Sequence, residues 1–323
     1  MKAVKDTIKC MNEYGRDKIP FVFLIDFDKR KPAIFRIEEL GKNNIWISIP
    51  EFSNHKTARK KIDFVFEKTP IDLDRYKKAY EIVRSAIKRG DTFLLNLTFP
   101  TNLKTNLSLD NIFENSTARY KLKFKNKFVV FSPEPFIQIK RNKISSYPMK
   151  GTMDASIFDA EKKLMEDIKE VSEHNTIVDL IRNDLSMIAK NVKVEKFRYM
   201  EKIKTHEKEL LQTSSEIGGE LSPNWNESIG DLIFKLLPAG SISGAPKKKT
   251  VKIIREAEGY DRGYFTGVFG YFDGTNLDSA VMIRYIEKQK DKLVFKSGGG
   301  ITYFSECEQE YKELIDKVYV PII

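Results

Sequence analysis

Lys127–Gly151 reads KFVVFSPEPFIQIKRNKISSYPMKG. Apolar and polar residues alternate along it, the two-residue period of a strand with one face in a core. Pro133 and Pro135 carry no N–H for a ladder, so they must break the first of these paired strands. At the end of the stretch Lys150 stands between Met149 and Gly151, where a strand runs into a turn. A lysine in solvent needs no explanation there. One that attacks a substrate needs a tight, partly dry place supplied by the rest of the chain.

Working outward, FVFLIDF, AIFRI, IWISI and DFVFE in the first seventy residues read as short strands. DLDRYKKAYEIVRSAIKRG switches to helical spacing through Tyr76, Tyr80, Val83 and Ile87, with Gly90 suited to the C-terminal cap. TFLLNLTF is β-prone, and a short helix is expected near Leu109 to Asn115. Asp159 to Ala189 is helical, as two helices or one bent one. The strands KVEKFRYMEKI and ELLQTSSEIGGEL follow, then a helix near Trp225 to Leu236 and the small-residue loop PAGSISGAP. TVKIIREAE continues the chain. It ends in a long hairpin turning at Asp273-Gly274, one more strand, a glycine loop SGGGI and a C-terminal helix. Strands and helices come in groups, which favours an α+β sandwich of mostly antiparallel sheets over a doubly wound fold. No Gly-, Ser- or Pro-rich linker divides the chain, so one domain is expected.

The 323 residues are 41% hydrophobic, enough for a large core, and 32% charged. No apolar run approaches the roughly 20 residues of a membrane span, and the N-terminus is too polar for a signal peptide. Cytoplasmic residence is the expectation. Cys10 and Cys307 form no metal or redox spacing. The formal charge of +10 is carried by lysines interleaved with acids, as in KKIDFVFEK, so no basic stripe points to nucleic acid. An anionic metabolite stays open.

Two helices place carboxylates where apolar residues belong. In SECEQEYKELIDKVYV, Glu310, Glu313 and Lys317 share a face beside the core-facing Tyr311, Leu314, Ile315 and Val318. That is either a surface ion pair or a polar group at a cleft. In KEVSEHNTIVDLIRNDL, Glu170 and Glu173 head a stripe continued by Ile177, Leu180, Ile181 and Asp184. They point to a cleft or belong to a solvated helix start. Buried carboxylates must be paired or ligate a cation, and two such pairs would suit Mg²⁺, which takes hard oxygen ligands. PAGSISGAP and SGGGI lack bulk, so a ligand can reach their backbone N–H groups. Arg284, in AVMIRYI, reads as a guanidinium in a buried strand, where it needs an anion: a structural salt bridge or a substrate.

Together GDTFLLNLT, SPEPF, PMKGT, KEVSEHNTIVDLIRND, LLPAGSISGAP, RGYFTGVFGYFDG, SGGGI and EQEYKELIDK, from about residue 72 onward, resemble the chorismate-utilising enzymes. These include anthranilate synthase and aminodeoxychorismate synthase component I, isochorismate synthase and salicylate synthase. The resemblance implies an α+β fold of two large, mostly antiparallel β-sheets packed as a sandwich with helices outside. It also implies a single chorismate-binding domain over residues 1–323, with a shortened N-terminal strand region of about 1–70. A tryptophan site of the anthranilate synthase kind would then be incomplete.

The resemblance assigns roles. Glu173 and Glu313 match Mg²⁺ ligands, with Glu170 and Glu310 as companion carboxylates. Arg284 and Lys317 match clamps on a substrate carboxylate, helped by the N–H groups of Gly298 and Gly300. Glu134 matches the general acid/base. Gly151, Thr152, Ala245 and Asn96 fall beside the substrate. Lys150 separates the members: anthranilate synthases typically have alanine at this place, aminodeoxychorismate synthases lysine. It implies a neutral Lys150 that attacks C2 of chorismate, with ammonia from a separate glutamine amidotransferase subunit. Burial beside Met149 and a nearby Mg²⁺ would both disfavour the ammonium form. Anthranilate synthase component I and a non-catalytic chorismate-binding homologue are the alternatives. Leu94 stands where water-adding members carry a lysine base. Gln212 replaces a usual histidine, and Phe265 a usual tyrosine.

Overall fold

The computed structural model describes residues 2–56, 62–204 and 209–322, without the side chains of residues 152, 203, 204 and 210. Phe21–Ile25 shows how the core is built, because all five consecutive residues are buried. Such a strand has covered faces on both sides. Val22 and Leu24 pack with Ile45, Ile47, Leu122 and Val130 of a second sheet. Phe21, Phe23 and Ile25 join a cluster with helical residues such as Ile177, Ile229 and Ile253. The protein is α+β: two antiparallel sheets, nine strands each among the described residues, with helices.

The first sheet runs in the order Met149–Asp154, Glu209–Glu220, Lys143–Ser146, Pro135–Lys140, Leu277–Val281, Val268–Phe272, Phe21–Ile25, Ala33–Arg36, and Lys190–Lys204 also pairs with Glu209–Glu220. The second centres on Leu94–Thr105, Lys292–Ile301, Tyr285–Gln289 and Phe128–Ser132. The chain passes between sheets at two points. Phe128–Ser132 lies in the second sheet and Pro135–Lys140 in the first, so Pro133-Glu134 form one crossing. Met282–Arg284 form the return crossing between Leu277–Val281 and Tyr285–Gln289. The two run side by side: Val281 N donates to Glu134 O at 3.1 Å, and Phe131 N donates to Arg284 O at 3.1 Å.

Arg284 therefore does not sit in a strand, as its alternating neighbours suggest. It occupies the return crossing with φ of 51°, and the alternation reflects burial on both sides of the bend. The glycines of SGGGI are likewise not a loop. They end the strand Lys292–Ile301, paired in register with the strand Leu94–Thr105 from Leu293↔Leu103 to Ile301↔Leu95. The N-terminal region is not strands alone, because Lys2–Arg16 is a helix that buries Thr7, Met11 and Gly15. That four-residue spacing was readable but masked by the segment's polarity. DFVFE contributes a strand only from Phe66, as Phe66–Thr69. PAGSISGAP contains the helical turn Gly240–Ser243 and the short strand Gly244–Ala245. The acidic helical region is two helices, Ala160–Glu166 and Ile168–Ser186, the second capped where Glu170 N donates to Asp167 Oδ1 at 2.9 Å. Among the described residues no helix is long and apolar enough to cross a membrane.

Candidate active site

Lys150 lies on the edge strand Met149–Asp154, where pairing with Glu209–Glu220 slips between Lys150 and Thr152. Gly151 makes the slip possible: its φ is +70°, and a Cβ there would stand 2.9 Å from Leu164 Cδ1 and 3.1 Å from Glu170 Oε2. Such a bulge re-aims a side chain. Lys150 Nζ then reaches within 3.4 Å of Glu173 Oε2, with side chains 18% and 7% exposed.

The helix Ile168–Ser186 delivers Glu170 and Glu173, and the helix Cys307–Asp316 delivers Glu310 and Glu313. Lys169 joins the two, with Nζ 2.7 Å from Glu310 Oε1 and 3.9 Å from Glu173 Oε1. The glycine strand closes the space. A Cβ on Gly299 would lie 3.2 Å from Glu313 Oε1 and 3.3 Å from Glu310 Oε2, and one on Gly300 would lie 3.1 Å from Lys150 Nζ. Glu170 and Glu310, far apart in the chain, thus join one cluster of charges around Lys150 and Lys169. Burial pushes the Glu170 and Glu310 carboxyls above their ordinary values. For Glu313 burial acts the same way, but the Lys317 ammonium prevails and holds it low. Burial also works against the charged form of Lys150. Glu173, Glu313, Glu170 and Glu134 outweigh it and hold the amine above its ordinary value. Burial alone therefore does not make the amine neutral: four carboxylates outweigh the dry flank.

The glycine strand also presents backbone. Lys317 Nζ donates to Gly298 O at 2.9 Å, so that carbonyl points away from the neighbouring strand. Opposite, Thr98 N donates to Glu258 Oε1 at 2.8 Å and Asn96 O accepts from Arg262 at 2.6 Å. Gly298↔Thr98 and Gly300↔Asn96 are thus the non-hydrogen-bonded pairs of the ladder, and in extended strand the N–H groups of both glycines share the open edge with the Gly298 carbonyl. Glu134 faces the same region. Burial raises its pKa, opposed by the Ser241 hydrogen bond and the positive charges of Lys150, Arg284 and Lys317. Arg284 Nε donates to Tyr319 OH at 3.3 Å, and the guanidinium has no carboxylate partner among the ion pairs of the described residues.

The sequence pattern of the chorismate binding enzymes matches residues 34–322. The chain belongs to the chorismate-binding enzyme family. It acts on chorismate as an enzyme, and the match begins well before residue 72. An uncharacterized PabA-like protein of Haemophilus influenzae is 49% identical over 315 residues, covering 98% of this chain and 96% of that one. Anthranilate synthase component 1 of Lactococcus lactis is 32% identical, over 94% of this chain and 68% of that one. Aminodeoxychorismate synthase component 1 of Bacillus subtilis is 29% identical, over 77% and 55%. A Bacillus anthracis structure solved as a 2,3-dihydroxybenzoate-specific isochorismate synthase superposes with a TM-score of 0.75 at 22% identity, covering 98% of this chain and 86% of that one.

Within this chorismate-binding enzyme the expected residues converge, with qualifications. Ala245 pairs with Leu94, and its carbonyl is taken by Phe93 N at 2.9 Å and Thr92 Oγ1 at 2.8 Å, so it offers a wall and no acceptor. Thr152's side chain lies outside the described residues. Leu94 Cδ1 comes within 3.3 Å of a Gly300 Cβ position, an apolar wall beside Lys150. Gln212 Oε1 is buried without a hydrogen-bond partner, and Phe265 is buried against Tyr285. Among the described residues no three His, Cys, Asp or Glu side chains are grouped closely enough to hold a metal as they stand, and the Lys150 and Lys169 ammoniums lie among the carboxylates. The donor set nevertheless fits a hard divalent cation, and Glu310 Oε2 is buried without a hydrogen-bond partner. Sequence reading missed Lys169 and Ser241. Lys169 precedes two singled-out glutamates and Ser241 lies inside a quoted loop, but neither spacing nor composition marks them.

Proposed function

We propose that this enzyme is aminodeoxychorismate synthase component I, converting chorismate and ammonia to 4-amino-4-deoxychorismate and water, on the route to 4-aminobenzoate and folate. The observation that carries the reading is Lys150 Nζ at the centre of the site, 3.4 Å from Glu173. Neutral Lys150 forms a bond to C2 of chorismate. The ring double bond shifts, and the C4 hydroxyl departs with the proton of Glu134 as water. Ammonia, delivered by a glutamine amidotransferase partner, then bonds to C4 and gives up a proton that restores Glu134, while the double bond returns and the Lys150 amine leaves. Glu134, raised by burial, suits the acid role. Arg284, Lys317 and the N–H groups of Gly298 and Gly300 hold substrate carboxylate. Glu173, Glu313, Glu170 and Glu310 would hold Mg²⁺, which when bound offsets the carboxylate charge and anchors a substrate carboxylate.

Water addition is disfavoured, because Leu94 cannot serve as the base. Anthranilate synthase component I is the second reading, favoured by the Lactococcus lactis relative's identity; Lys150 tells against it. Mass spectrometry of the product from chorismate, Mg²⁺ and an ammonium salt separates the two. Aminodeoxychorismate is expected, and fluorescent anthranilate in quantity would refute the assignment.

A further inference from the structure

We infer that Ser241 is the positioning residue for Glu134, its hydroxyl fixing which way the carboxyl faces in the site. The inference rests on the reading of Glu134 as the acid of the reaction. Ser241 Oγ donates to Glu134 Oε1 at 2.5 Å, which leaves Oε2 to meet the substrate. The backbone of Glu134 is fixed on the sheet crossing by Val281 N and by its own N–H to Ser132 Oγ at 3.1 Å. Its side chain has no such ladder. Beside it lies a small cavity lined by Tyr147, Ile181, Asp184 and Leu236, with Glu134 and Ser241 in its wall. Without the hydroxyl, the carboxyl has room to turn away from chorismate.

Ser241 is itself held firmly. It belongs to the turn Gly240–Ser243, where Ser243 Oγ donates to Ala239 O at 2.8 Å. The next residue is gripped by Arg262, 3% exposed, whose Nη1 donates to Ile242 O at 3.1 Å while Nη2 donates to Asn96 O at 2.6 Å. Glu258 closes the other side of that guanidinium, with Nε to Oε2 at 2.9 Å. Gly240 lets the turn sit directly on the long acidic helix: a Cβ there would lie 2.9 Å from Leu180 Cδ2 and 3.0 Å from Asp184 Oδ2. That helix also carries Glu173. The hydroxyl that aims the acid and the carboxylate beside Lys150 therefore share one rigid support. The hydrogen bond also favours the ionised carboxyl, opposing the effect of burial.

The test compares Ser241→Val with Ser241→Thr, which have the same shape and differ by the hydroxyl. Glu134 is titrated by NMR in protein carrying ¹³C-carboxyl glutamate, its resonance being the one lost in Glu134→Gln. In Ser241→Val it is expected to titrate at higher pH than in wild type, because a hydrogen bond to the charged form is gone. With chorismate and ammonium, kcat should fall by about tenfold with KM within about twofold. Ser241→Thr should restore both. An unchanged titration and kcat in the valine variant overturns the inference, as does a loss that threonine fails to rescue. If wild-type enzyme makes no aminodeoxychorismate, the proposed function fails, while the titration still decides whether Ser241 holds Glu134.

Discussion

Lys150 Nζ stands 3.4 Å from Glu173 Oε2, and this contact, with three further carboxylates nearby, keeps the amine protonated against its burial. A protonated amine cannot attack. Turnover should therefore rise with pH on its acid side as the Lys150 proton becomes easier to lose. Once pH passes the raised pKa of Glu134, loss of its acid form offsets the gain in neutral Lys150, so turnover should level off and fall only when the amine itself has lost its proton. Lys150→Ala should lower aminodeoxychorismate formation by at least about 100-fold, and Lys150→Arg should not recover it, since a guanidinium stays charged. Product mass spectrometry across pH checks both. Unchanged output from the alanine variant removes the covalent role.

The glycine strand makes a sharper demand. Ala at position 300 would put its Cβ 3.1 Å from Lys150 Nζ, and the lysine tip can move without disturbing the core. Gly300→Ala should melt within a few degrees of wild type yet lose about 10- to 100-fold in kcat/KM, the scale of a misplaced reacting group. Calorimetric melting with steady-state kinetics decides it. A large stability loss would make the residue a structural one.

Lys169 supplies positive charge between Glu310, 2.7 Å away, and Glu173, 3.9 Å away. If Mg²⁺ binds these carboxylates, the ammonium competes with it. Lys169→Met should tighten Mg²⁺ binding measured by titration calorimetry, and Glu173→Gln or Glu313→Gln should weaken it. At about 100 times Kd the ion should stabilise wild type by about 2.7 kcal/mol. Weaker binding in Lys169→Met would place the cation elsewhere.

His174 predicts how the fold responds to acid. It is fully buried, with Nε2 2.6 Å from Ser215 Oγ. Burial, then the charges of Arg198 and Lys150, push its pKa down to about 4 from 6.5. Between these values the unfolded chain binds a proton that the folded chain refuses. The stabilising contribution is therefore complete above the unfolded pKa and is lost as pH falls toward the folded one, by about 3 kcal/mol in all. Urea midpoints of His174→Gln should drop less than those of wild type between neutral pH and about pH 4. Equal slopes would mean that His174 is not the group responsible.

The break at Pro133-Glu134 was legible because proline has no N–H and must interrupt a ladder, but the strands on either side were expected to pair and instead lie in different sheets. Its counterpart at Arg284 was not, since a bend buried on both sides carries the same alternation of residue types as a strand. SGGGI shows the same ambiguity. Glycine runs favour loops by propensity, yet this run completes a ladder with Leu95–Phe99, and the missing side chains of Gly299 and Gly300 make room for Lys150 and the glutamates.

By itself the amino-acid order determined the α+β class, the helices presenting Glu170, Glu173, Glu310 and Glu313, and the identity of the residues available for chemistry. These follow from side-chain period and from short-range backbone sterics, which act within a few residues. Tertiary structure decided that those glutamates gather round Lys150 and Lys169, and that Ser241 meets Glu134. Such facts depend on distances and desolvation between segments far apart in the chain, and no local pattern encodes them.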